Sequence, residues 1–304
     1  MLIGIKPNLV AAIPAGEGAT THPEMAEGVI SYLKSKGLNN IIILEGSWVG
    51  DSTKSAYKVC GYEEISKKYN VPLYDLKDDS YEIKKAGDLD LKVCKKALQV
   101  DYLINMPVLK AHCQTLFTCS LKNLKGCIPD IEKRRFHSLG LHKPIGYLSS
   151  VLKSSLIIVD AVCGDLTFEE GGNPVSMDRI IVGRDPVLTD TYGASLIGYS
   201  KGDIDYIKIA EEAGAGSSDI EKAKIYEYNI NLKNTSRFKA SGKVKRLTEG
   251  VTSKDACSAC YGSLVHALER LDEREKLIKL KENIYIGQGF KGQALNGIGI
   301  GNCT

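Results

Sequence analysis

Short apolar runs alternating with helix-like segments constrain this chain more than any other feature. LIGIKPNLV, NIIILEG, VPLYDL, DYLINMP, SLIIVDAV and DRIIVG recur along its first two thirds. Such runs are apolar on both faces, as strands of a parallel sheet are when helices cover it on either side. Between them, Pro23 suits the first turn of a helix capped by Thr20 or Thr21, running to Ser35 and ended by Gly37. Further helices are expected around Ser55 to Tyr69, from Pro186 to Ile197 and from Asp203 to Ala213. The pattern predicts an α/β fold of mostly parallel sheets with flanking helices, plus a small carboxyl-terminal cysteine-containing module.

A chain of 304 residues exceeds what one hydrophobic core usually organises. The expected division is a Rossmann-like α/β half over 1–100, a second α/β half over 101–228, and a linker with an end module over 229–304. The last part opens on the polar stretch NLKNTSRFKASGKVKRLTEG. A helix from Ala259 to Arg270, the strand NIYIGQGF and the glycine-rich IGIGNCT follow. The net charge of +3 is spread along the chain, so nucleic acid is not an expected partner. The basic run Lys133, Arg134, Arg135 fits a solvated face or an anion contact. No window reaches the roughly 18 apolar residues of a membrane span, and MLIGIKPNLV lacks the layout of a signal peptide. No membrane partner and a cytoplasmic location are therefore expected. Nine cysteines, an odd number, argue against a disulfide framework.

Chemistry-bearing side chains concentrate in NMPVLKAHCQTLFTCSLKNLKGCIPDIEKRRFH, residues 105–137, directly behind a strand-like run. Open α/β sheets bind ligands in loops at the carboxyl ends of their strands. Asn105, Lys110, His112, Lys122 and Lys125 belong to this segment. Lys6 and Asn8 follow the first strand, Glu45 the second, and Asp160 ends SLIIVD; Glu169 and Glu170 precede a glycine pair. Their shared placement predicts a crevice for a small anionic molecule. His22, held between Thr21 and Pro23, is placed to act as a general base near neutral pH. The cations beside His112 favour its neutral imidazole. Lys122 and Lys125, three apart, would clamp a carboxylate or phosphate from one helix face, or lie on an exposed one.

KPNLV, THPE, EG, NMPVLKAH, SLKNLKG, IIVDAV, EEGGNP and RDPVLTD together resemble the pattern of the family named domain of unknown function 362. That resemblance covers nearly the whole chain, with SLKNLKG after KAH its most specific part. It implies an α/β fold and an iron–sulfur association, and brings no established reaction. Family members usually begin several tens of residues before KPNLV, so the chain is expected to be short at its amino end. A remoter resemblance is to lactate racemases that use a nickel-pincer nucleotide. It implies His22 and His112 as an acid–base pair, Lys122 as cofactor anchor and His137 as a nickel ligand. Ser120 and Leu121 stand where the racemase pattern has a glycine pair, which argues against that nucleotide here.

At the carboxyl end, DACSACYGSL places Cys257 and Cys260 three apart, and Cys303 lies among glycines in IGIGNCT. Sulfur ligation favours iron–sulfur clusters or zinc over magnesium or calcium. An iron–sulfur cluster of the 4Fe-4S type needs a fourth ligand. Chain beyond GNCT or Cys127 folding over from the main body would supply it, or an open iron site would leave that position to substrate or water. The leading expectation is an iron–sulfur protein with a small-molecule site, redox or electron-transfer related, with a redox protein as partner. Racemase or lyase chemistry on a hydroxy or carboxylic acid is the second, and a non-catalytic anion carrier the third.

Overall fold

The computed structural model describes residues 1–167, 171–228, 238, 240, 242–256, 258–277 and 282–301. The chain enters through β1 (Ile3–Pro7), wholly buried, and α1 (Pro23–Ser35), whose proline lies at the first helical position. Neither threonine caps this helix. Its N-cap is His22, and Thr21 Oγ1 instead accepts from Asn8 N and donates to the Met106 carbonyl. After β2 (Ile41–Glu45), the helix expected from Ser55 to Tyr69 is two, α2 (Thr53–Val59) and α3 (Tyr62–Tyr69). Gly61 between them has φ of +79°, a left-handed value that ends one helix and starts the next.

Next come β3 (Leu73–Asp75), a hairpin of β4 (Tyr81–Ala86) and β5 (Leu89–Cys94), α4 (Lys95–Gln99) and β6 (Tyr102–Met106). A second hairpin pairs β7 (Lys110–His112) with β8 (Leu116–Thr118). Three helices follow, α5 (Ser120–Asn123), α6 (Asp130–Ser138) and α7 (His142–Val151). Then come β9 (Leu156–Asp165), β10 (Pro174–Gly183), α8 (Pro186–Leu196) and α9 (Asp205–Glu212). The carboxyl-terminal part contributes α10 (Lys243–Leu247), β11 (Val251–Ser253), α11 (Ser258–Glu273), β12 (Ile284–Ile286) and β13 (Ile298–Ile300).

The central sheet runs β10-β9-β6-β1-β2-β3, parallel throughout except for the antiparallel edge strand β10. The expected mostly parallel α/β architecture is therefore present. β1 pairs directly with β6, so the hydrogen-bonded ladder crosses the neighbourhood of residue 100. From β1 the chain builds outward first through β2 and β3, then on the other side through β6 and β9. This reversal makes the carboxyl ends of β1 and β6 a topological switch point, where such sheets form ligand crevices. Separate apolar clusters pack the sheet's surroundings, one centred on Leu109, Phe117 and Phe136 and another on Ile5, Ile30 and Ile43. A third, smaller one unites α11 with β12. Among the described residues, no helix is long and apolar enough to cross a membrane.

Candidate functional site

Four polar residues interlock at the switch point. Lys6 Nζ donates to Glu45 Oε2 at 2.8 Å, to Asn123 Oδ1 at 3.1 Å and to the Pro7 carbonyl at 2.6 Å. Asn123 Nδ2 donates to Asn105 Oδ1 at 2.7 Å, and Asn105 Nδ2 to the Ser120 carbonyl at 2.9 Å. Glu45 also accepts from the Leu9 and Gly46 amides. All four are buried, and the Gly126 backbone seals them in: a Cβ there would collide with Glu45 Oε1. A buried ion pair of this kind holds only when further hydrogen bonds satisfy it, which Asn123 does for Lys6 and the Leu9 and Gly46 amides do for Glu45. Lys6, Glu45 and Asn105 thus spend their polar groups inside the protein, joining β1, β2, β6 and α5. The buried Asn8 is tied to this corner through its backbone, its amide donating to Thr21 Oγ1.

Next to this network lies a histidine–aspartate pair. His22 Nδ1 is 2.8 Å from Asp160 Oδ2, and the His22 amide donates to the same oxygen at 2.7 Å. Asp160 is fully buried, whereas the His22 side chain keeps 21% exposure. The hydrogen bond to Asp160 raises the His22 pKa, while burial opposes the rise. Nδ1 is thereby fixed as the protonated nitrogen, and Nε2 lies 4.0 Å from Cys163 Sγ. Asp160 is itself held by main chain: its amide donates to the Pro107 carbonyl and its carbonyl accepts from Leu109 N.

The β7–β8 hairpin starts where this contact ends. Lys110 Nζ reaches the Ala19 carbonyl at 2.8 Å, three residues before His22. Lys110 lies opposite Thr118 in the hairpin, and Thr118 Oγ1 accepts from Lys122 Nζ at 3.1 Å. His112 shares the strand face of Lys110, two residues along. Its Nδ1 accepts from the Gln114 and Thr115 amides at 3.0 and 3.1 Å, so its proton sits on Nε2. Lys110 and His112 thus sit on one hairpin strand, Lys122 bonds to the opposite strand, and Lys110 ties the hairpin to the loop before His22.

Lys125 departs from this arrangement. α5 ends at Asn123, and Lys125 Nζ faces His137 Nε2 at 3.5 Å while Lys122 turns to Thr118, so the two lysines do not form one clamp. Three residues that sequence reasoning did not select shape the site. Asp190 accepts from Ser120 N, Ser120 Oγ and Leu121 N, capping α5. Burial pushes its pKa up to about 6, against those hydrogen bonds. Lys133, inside the run read as solvated or anion-binding, is buried and donates to the Gly46 and Ser47 carbonyls and to Asp130. Burial lowers its pKa. His142 stacks on Tyr206 beside the Gln114 backbone, with its pKa lowered by burial and, less, by the Lys122 charge. For Asp190 the RDPVLTD motif was a signal, and for the other two the sequence offers none.

Of the cysteine set, Cys260 lies in the first turn of α11; Cys257 and Cys303, like Glu169 and Glu170, lie outside the described residues. Gly301, with φ of +90°, brings the tail against Cys260: a Cβ on it would sit 3.4 Å from Cys260 Sγ. Cys127 does not fold over to this end. It is packed in the main core among Leu124 and Ile128, with burial pushing its thiol up to about 12. A cavity of about 830 Å³ lies under α1 against β6 and β9. Its walls are mostly apolar (Met25, Tyr32, Ile158, Ile180).

Residues 3–195 match the family described as "Domain of unknown function (DUF362)". A thylakoid-associated protein of Synechocystis sp. is 27% identical over 133 residues, 44% of this chain and 41% of that protein. The lactate racemase apoprotein of Thermoanaerobacterium thermosaccharolyticum aligns with a TM-score of 0.46 at 13% identity, over 64% of this chain and 48% of that one. The chain spans less than half the length of either.

Proposed function

The chain belongs to the family described as domain of unknown function 362, and from that premise we propose an iron–sulfur protein whose α/β crevice binds a small carboxylate and moves a proton on it. The observation that carries the reading is the His22–Asp160 pair, with the loop before it tied by Lys110 to the hairpin that also carries His112. A base oriented by a buried carboxylate, with ammonium groups nearby to hold an anion, is the arrangement needed for proton abstraction next to a carboxylate. In it His22 Nε2 takes the proton, Asp160 stabilises the resulting imidazolium, and Lys110 and Lys122 hold the substrate's charge. His112 Nε2–H donates to a substrate oxygen.

A thiolate-held cluster at the carboxyl end draws its support from the three cysteines there in the sequence, of which Cys260 is described. Cys260 stands at the start of a long helix, and a glycine-rich strand end brings backbone within contact of its sulfur. Such a cluster supplies single-electron exchange, which makes the crevice part of a redox protein with a protein electron partner. The residues do not fit a nickel-pincer nucleotide on Lys122. The amides of Ser120 and Leu121, next to that lysine, are already taken by Asp190 rather than offered to a phosphate.

Anaerobically purified protein is expected to contain iron and sulfide and to absorb in the visible; a colourless, iron-free preparation removes the cluster. For the crevice, α-hydrogen exchange of small hydroxy and carboxylic acids in D2O is the direct assay. His22→Ala is expected to slow it by about 10²–10⁴-fold. Exchange unaffected by that change, or none with any acid tested, leaves the non-catalytic carrier.

A further inference from the structure

We infer that Cys163 is a nucleophilic thiol served by the His22–Asp160 pair, and that the carbon it takes is an electrophilic carbonyl, as in an aldehyde or a 2-oxo acid. Such a step goes beyond proton abstraction beside a carboxylate and shares with it only the oriented imidazole.

Three side chains stand in the order nucleophile, base and orienter. Asp160 Oδ2 lies 2.8 Å from His22 Nδ1, and His22 Nε2 lies 4.0 Å from Cys163 Sγ. A thiol on one ring nitrogen, with a buried carboxylate holding the other, is the relation that nucleophilic catalysis requires. The sulfur contact is long, as such contacts often are before a substrate closes them. Asp160 and Cys163 both belong to β9, three residues apart, so one strand fixes both ends of the row. The ring between them comes from the N-cap of α1.

Cys60 offers a comparison within the same molecule. Both thiols touch the loop that follows β1: Cys60 Sγ donates to the Ile13 carbonyl at 3.1 Å, and Cys163 Sγ to the Ala15 carbonyl at 3.5 Å. Burial raises the pKa of each, and at Cys163 the Asp160 charge adds to the rise. Each is therefore a protonated thiol at neutral pH, poorly reactive until a base takes its proton. Cys60 has the Thr20 hydroxyl beside it at 3.8 Å, whereas Cys163 has the imidazole. Cys60 also fills the apolar cluster of Ile5 and Ile43, while Cys163 belongs to none of the three clusters among the described residues. Cys163 keeps 8% exposure next to the 21% of the His22 side chain, which puts the contact within reach of a small molecule.

As the sulfur adds to a carbonyl carbon, the S–C bond forms and the C=O π bond opens. The thiol proton passes to His22 Nε2 and from there to the new alkoxide oxygen, while Asp160 stabilises the transient imidazolium. The product is a hemithioacetal or hemithioketal, and no oxidant, leaving group or second reactant is consumed. A single imidazole supplies all the proton movement, which is why a carbonyl suits this corner.

Iodoacetamide labelling of the native protein, read peptide by peptide, tests the thiol. Cys163 is expected to react faster than Cys60. His22→Gln, which removes the base while keeping a polar side chain in its place, is expected to slow Cys163 by about 10²-fold and to leave Cys60 unchanged. Unfolding exposes both thiols alike, so the ratio of the two rates reads the imidazole. Equal rates in wild type, or a ratio that His22→Gln leaves intact, overturn the assignment of Cys163. Glyoxylate labelled with carbon-13 at its aldehyde carbon tests the ligand class. Wild type is expected to give a protein-bound resonance, distinct from the free hydrate, that Cys163→Ser lacks. No such resonance in wild type, or the same one in Cys163→Ser, overturns the carbonyl assignment. Neither measurement depends on α-hydrogen exchange, so failure of the proton-abstraction reading and failure of this one are seen separately.

Discussion

The body built on the central sheet and the carboxyl-terminal layer reach stability by different means. Among the described residues the body packs clusters of 33 and 16 buried apolar side chains, while the layer has eight, one of them the body's own Cys113. Its three strands are three residues each, against five to ten for most strands of the central sheet. A core that small rarely holds a fold without a disulfide, a metal or a larger neighbour. The body, by contrast, invests in polar specificity, burying the Lys6–Glu45 pair and both asparagines at the switch point. The body's polar groups at the switch point are satisfied by one another, whereas the layer is expected to depend on the proposed metal.

Removing the proposed metal is the sharpest way to break this contrast. Chelation is expected to bring amide exchange in β11, β12 and β13 to near-unprotected rates while β1 and β6 keep their protection. Uniform behaviour of both regions would show that the layer needs no metal. Within the body, Lys6→Met strands the Glu45 carboxylate in a buried site, with an expected loss of about 3–5 kcal/mol in urea unfolding. Asp190→Ala removes the acceptor for three buried donors on Ser120 and Leu121 and is expected to cost about 2–3 kcal/mol. The layer's protection should be unchanged in both variants.

The smallest effect concerns pH. His22 has a folded pKa raised above 6.5, so its pairing with Asp160 stabilises the body fully below 6.5 and is lost as pH rises through the folded value. Asp160→Asn is expected to flatten this slope and to lower the His22 titration midpoint seen by NMR. An unchanged midpoint would mean that Asp160 does not set the imidazole's protonation.

Much of the body is readable from sequence because its strands are apolar runs and its first helix begins at a proline. The two hairpins are not: β4 and β5 carry lysines and aspartate, and β7 and β8 are three residues long, too short to show a period. Gly61 is likewise lost inside a helical pattern. At the site, strand-end position singled out Lys6, Glu45, Asn105 and Asp160, since a parallel sheet brings those ends to one edge. What each residue does there depends on partners far away in sequence. Asn123 meets Lys6 across 117 residues and Asp190 meets Ser120 across 70, pairings that no local pattern encodes. Cys163 hid for the same reason, its sulfur meeting His22 across 141 residues.

Asp160 is both a rung between β9 and the loop after β6 and the anchor of the His22 ring. The direction in which the imidazole points is thus indexed to the sheet's own spacing. Sliding β9 by one position would turn the carboxylate to the opposite side and leave the ring without its guide. Anyone redesigning this corner of the fold has latitude in the hairpin side chains and almost none at the aspartate that holds the ring.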